Sequence, residues 1–174
     1  METIARFPVH VLMRRTPLAS RWASESWAPL GVEIAGPPRD DLDVSPLPPV
    51  CLRDDSEASV WRFAGHALEL HRSEAEGYYL NLREDAPVVF VLWRRDESRT
   101  PPVTPVLATV SYNEAARAMD GGETVDAVPM PAEIRAWVAP FMSEHYRPEP
   151  KGKQRRNDPF VAGAFRKQRG PAQP

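Results

Sequence analysis

The sequence predicts an α+β fold: a mostly antiparallel, twisted sheet of about five to seven strands, free to curl toward a barrel, with one short and one longer C-terminal helix packed on it. Three observations carry this expectation. Short β-type runs separated by turn residues occupy the chain as far as Val110. Helix signals appear only after that point. The most apolar run, PVVFVLW from Pro87 to Trp93, ends at Arg94-Arg95 and falls well short of the roughly 20 residues that a bilayer span needs.

Phe7 to Arg15 alternates, with Val9, Val11 and Met13 on one face and His10, Leu12 and Arg14 on the other, until Thr16-Pro17 breaks the strand. Trp27 to Ile34 alternates through Leu30, Val32 and Ile34 and stops at Gly36-Pro37-Pro38. Residues 36–49, GPPRDDLDVSPLPP, read as a proline and aspartate loop without periodicity. Val60 to Phe63, Leu68 to His71 and Tyr78 to Leu82 read as short strands, with turns at Ala64-Gly65 and from Ser73 to Gly77. Pro87 to Arg95 is the strongest strand, apolar on both faces like a central strand covered on both sides. Val103 to Val110, interrupted by Pro105, belongs at an edge, because proline cannot donate to a ladder. Ser111 and Glu114 form a capping box that starts a helix, and Gly121-Gly122 stops it. The longer helix begins at Pro131 and sets Ile134, Trp137, Val138, Phe141, Met142 and His145 on one face, with Pro140 opposite and expected to kink it.

A chain of 174 residues suits one core, so the expected organisation is a single domain over 1–149 and a basic, disordered tail over 150–174. Twenty prolines and a mean hydropathy of −0.46 give irregular segments a large share. The net charge of −2 hides a division: from Lys151 onward seven basic residues face Asp158 alone, a balance of +6, which leaves −8 for the remainder. A basic tail on an acidic body points to an anionic contact. The start of the chain lacks the pattern of a secretory signal, so the expected compartment is the cytoplasm. Cys51 reads as a buried or loop thiol.

Chemistry is harder to find. His71 and Glu69 fall on one strand face and His66 on the other, too few converging ligands for a metal site, so they read as polar residues of a half-exposed strand. No serine sits in a G-x-S-x-G elbow. The Gly121-Gly122 pair ends a helix rather than starting one, which removes a phosphate-cradling loop. No cofactor and no metal is therefore expected, and no catalytic residue is assigned.

The segments RRTPLASRW with Trp27, HALELHRSEAEGYYLNL, PVVFVLWRRDE, and VPMP leading into the last helix resemble a bacterial family, the domain of unknown function numbered 3305, over roughly Phe7 to Pro159. The resemblance implies a setting beside molybdenum-dependent formate dehydrogenase and its maturation factors. Some members carry the label molybdopterin-guanine dinucleotide biosynthesis protein A. The guanylyltransferase content of that label does not fit here, since the first strand runs into Arg14-Arg15-Thr16-Pro17 with no glycine before Gly31.

The functional expectation is a non-catalytic accessory protein acting in assembly or regulation of that dehydrogenase by protein contact. Arg14, Arg15, Trp22 and Trp27, with Lys151, Lys153, Arg155 and Arg156, are the candidate partner-binding residues, because arginine and tryptophan anchor interfaces. One alternative is handling of a pterin or guanine dinucleotide by Arg14-Arg15 and Arg94-Arg95. Another is nucleic-acid binding through the tail.

Overall fold

The computed structural model describes residues 5–148; the expected tail lies outside them. Among the described residues, seven strands form two antiparallel sheets rather than one curled sheet. The first has the order β2-β1-β4-β3, with β1 Ala5–Pro17, β2 Glu25–Ile34, β3 Val50–Asp54 and β4 Ser59–Leu70. The second has the order β6-β5-β7, with β5 Val88–Arg95, β6 Val103–Thr109 and β7 Thr124–Pro129. Three α-helices occur among the described residues, α1 Ala75–Leu82, α2 Tyr112–Asp120 and α3 Ala132–His145, with a 3-10 turn over Arg72–Glu74. The α+β class holds. β4 runs beside β6 and β2 beside β7, yet the ladders do not join, so the barrel stays open.

The alternation read from β1 places the core. Val9, Val11 and Met13 are fully buried and meet Val89 and Val91 of β5, also fully buried. Each such side chain contributes about 1.5–3 kcal/mol when taken from water. β5 is central in its sheet, and β6, which contains Pro105, is an edge. α3 lays Ile134 and Val138 into the core and sets Trp137 edge-on to Phe7, their ring centroids 5.1 Å apart. Pro140 sits on its exposed side within the continuous helix. Ser111 caps α2, its Oγ accepting from the Glu114 N–H at 3.1 Å.

Four local readings change. Tyr78 to Leu82 is the second half of α1, not a strand. Its aromatic and leucine residues suit either element, and tertiary anchoring decides: Tyr78 Oη accepts from the His71 N–H at 2.9 Å, and Glu74 just before the helix accepts from Ser111 Oγ at 2.5 Å and Arg117 Nη2 at 2.6 Å. Ala64-Gly65 is no turn, because β4 runs straight through it. β1 and β4 shift register between Val9 and Val11, opposite this glycine, as a β-bulge does. β3 and β7 are added strands; β3 is exposed along its whole length and shows no alternation. Cys51 lies on it, exposed, with its Sγ 3.4 Å from the Arg53 carbonyl.

Residues 36–49 form no helix or strand, but backbone contacts hold them against the first sheet. Arg39 N–H donates to the Arg6 carbonyl, Arg6 Nη1 to that of Leu42, and Leu47 N–H to that of Ala64.

Candidate functional site

Strand alternation separates the paired arginines of the opening motif. Arg14 follows Leu12 to the outer face of the first sheet and is exposed, while Arg15 follows Met13 inward, opposite Trp27 and Ser59 in the two ladders. Arg15 Nε donates to Ser59 Oγ at 3.0 Å, and its Nη atoms lie 3.6 Å from Glu25 and from Asp54. Ser59 Oγ in turn donates to Asp54 Oδ1 at 2.5 Å. Glu25 also accepts from Trp27 Nε1 at 2.8 Å and lies 3.6 Å from Arg95 Nη2, which ties the hairpin root to the second sheet.

Above this root the β1–β2 connection, residues 18–24, projects free. The Leu18 N–H donates to the Ser24 carbonyl at 2.9 Å, and the Trp22 N–H to Ser20 Oγ at 3.1 Å, so the loop has a defined shape. Trp22 at its tip is 89% exposed, and Leu18 beside it is 40% exposed. Arg14 and Arg21 have no carboxylate partner among the described residues, and no acid occurs from Arg14 to Ser24. A rooted hairpin therefore presents a bare indole at its tip, next to Arg21 in sequence, with Arg14 exposed on the outer face of β1.

The eight candidate contact residues thus separate. Arg14 and Trp22 are presented on the surface. Arg15 is committed to the root, and Trp27, 7% exposed, belongs to the core, with its N–H already used by Glu25; both leave the contact surface because they face inward. Lys151, Lys153, Arg155 and Arg156 lie outside the described residues. Arg21 is the residue that the sequence reading passes over, although its place next to Trp22 in a turn segment poor in acids is a readable signal.

The arginines considered for a phosphate clamp are largely occupied. Arg15 and Arg95 share Glu25, Arg94 pairs with Glu123, and Arg95 also pairs with Glu97. Among the described residues no three His, Cys, Asp or Glu side chains gather to hold a metal. No helix among them is long and apolar enough to cross a membrane.

The histidines are not half-exposed strand residues. His66 and His71 are each 9% exposed, and His71 Nε2 lies 3.5 Å from Glu69. His66 turns inward because it stands opposite the buried Val9 in the ladder. Burial first, and then the neighbouring His10, hold its imidazole below the ordinary range. The folded state therefore keeps His66 neutral where the unfolded chain would protonate it. Its stabilising effect is complete above the ordinary imidazole pKa of about 6.5 and is lost as pH falls through that value toward the lowered one. Urea unfolding at about pH 7.5 and about pH 5 should show wild type losing more stability on acidification than His66→Gln.

The family described as Protein of unknown function (DUF3305) matches residues 8–155. The chain belongs to this family. No curated protein and no solved structure matches it. The region matched to DUF3305 contains α1, α2, α3 and all seven described strands apart from the first three residues of β1.

Proposed function

We propose that this DUF3305 protein is a non-catalytic accessory protein that docks on an acidic protein surface through the tip of its β1–β2 hairpin. One observation carries the reading: Trp22 is 89% exposed on a hydrogen-bonded loop, on the same hairpin as Arg14 and Arg21, which lack acidic partners among the described residues. A bare tryptophan serves no packing purpose in the free chain, and tryptophan with arginine is the pair of residue types that dominates binding energy at interfaces. The resemblance of the sequence supplies the direction in which to look, a subunit or maturation factor of a molybdenum-containing formate dehydrogenase acting in its assembly or regulation.

Affinity purification of the tagged full chain from formate-using cells tests this. Wild type is expected to recover a dehydrogenase subunit or maturation factor. Trp22→Ala and the double variant Arg14→Ala/Arg21→Ala are expected to reduce that recovery by at least about tenfold, with unfolding midpoints unchanged because these side chains are exposed. Recovery equal to wild type from both variants would exclude the hairpin as the contact. Recovery of no dehydrogenase component by wild type would exclude the partner.

A further inference from the structure

We propose that the cavity at the seam between β4 and β6 binds a small organic carboxylate with an apolar body. The cavity encloses about 520 Å³, within the roughly 300–1,000 Å³ common to small-molecule sites. Its walls are mostly apolar: Leu47, Phe63 and Val103, with the rings of Pro46, Pro101 and Pro105. The polar residues among its lining are His66, Arg99, Thr100 and Thr104.

His66 decides the assignment. It is 9% exposed and lines both this cavity and a second of about 400 Å³, yet its ring nitrogens have no hydrogen-bond partner among the described residues. Buried polar side chains elsewhere in the fold are satisfied internally: Asn81 makes three hydrogen bonds, and Glu74 uses both oxygens. The ring N–H of His66 is therefore free to donate to a ligand that enters the cavity.

The surrounding charges favour an anion. Arg99 stands at the wall, 64% exposed and held by Asp96 at only 3.3 Å, so it can engage a second carboxylate. His10 of β1 is the nearest titratable neighbour, and its own buried Nδ1 is unpartnered among the described residues. Arg39 and Asp43 border the second cavity. A carboxylate seated here would draw a proton onto His66, whose burial otherwise keeps it neutral. Binding and protonation are therefore linked.

The test is an NMR titration of the isotopically labelled full chain with phenylacetate and with its neutral isostere phenylacetamide. Phenylacetate is expected to move the resonances of Phe63, His66 and Val103 and to raise the His66 pKa. It should bind more tightly at about pH 5.5 than at about pH 7.5. Phenylacetamide is expected to bind at least about tenfold more weakly, and Arg99→Gln to weaken phenylacetate by about tenfold. His66→Gln should abolish the pH dependence. Should that variant unfold, Arg99→Gln, on an exposed loop, still decides. No shifts at about 10 mM phenylacetate, shifts confined to other residues, or equal binding of the amide would each overturn the proposal.

Discussion

Replacing Gly65 by alanine is expected to lower the unfolding free energy by about 4 kcal/mol, the sum of backbone strain and a collision. The residue sits at φ +83°, a region that side chains other than glycine rarely occupy. A Cβ there would lie 1.9 Å from the Ser45 carbonyl oxygen and 2.7 Å from its carbon. Both are backbone atoms of the segment that leads into β3, so no side chain can swing aside. The segment must lift from β4, breaking the Leu47–Ala64 hydrogen bond and opening the cavity wall formed by Pro46 and Leu47. Gly122→Ala provides the control, since it has the similar φ of +84° but nothing within 4 Å of the added carbon. It should cost only the strain, about 1 kcal/mol. Chemical denaturation of both variants separates the two contributions. Equal losses would mean that the close approach of Ser45 to β4 is not maintained in solution.

Gly65 also shows where sequence patterns stop being informative. In sequence, Ala64-Gly65 between two apolar runs looks like a turn, and a glycine within a strand at a bulge produces the same local signal. Only the approach of Ser45, twenty positions earlier, distinguishes them, and no local window contains it. By contrast, β1, β5, the Ser111 cap and the buried face of α3 are legible, because each is fixed by periodicity or capping within its own segment. β3 leaves no trace, since none of its five residues is buried and a strand without a buried face need not alternate. α1 misleads because it is buried on several sides, so that its apolar residues show no helical stripe.

The site is legible in type and not in direction. Arginine and tryptophan in the first turn are the right residue types, and alternation along β1 already separates Arg14 from Arg15. The same rule does not tell Trp22 from Trp27, because it needs to know which strand each belongs to. Trp27 pairs with Arg15 across the hairpin and follows it into the core, while Trp22 lies beyond the last ladder pair, Pro17 with Glu25. His66 escapes the pattern for a related reason. The bulge in the β1–β4 ladder realigns the strand, and His66 ends opposite the buried Val9.

Asn81→Leu is expected to cost about 4 kcal/mol, although the two side chains are similar in size and the position is 3% exposed. The reason lies at the end of a strand. β6 stops at Thr109, opposite Phe90, so Val88 at the start of β5 extends past its last ladder partner on that side. The Asn81 amide stands in for the missing strand. Its Oδ1 accepts from the Val88 N–H at 3.0 Å, and its Nδ2 donates to the Val88 carbonyl at 2.8 Å and to the Val110 carbonyl at 2.9 Å. One side chain thereby joins α1, β5 and the residue before the α2 cap. Leucine would fill the space and leave the buried Val110 carbonyl and the part-buried N–H and carbonyl of Val88 without partners, at up to about 1–3 kcal/mol each before relaxation. Asn81→Asp should fare no better: it keeps the acceptor for the Val88 N–H but sets a carboxylate against two carbonyl oxygens. Its loss should shrink on acidification, when the protonated acid can donate to one of them. Unfolding in urea at about pH 7 and about pH 4 measures both substitutions, with Asn81→Leu as the reference for the general effect of acid on the fold. If the Asn81→Leu variant were as stable as wild type, the amide would be dispensable and the junction of α1 with the second sheet would rest on packing alone.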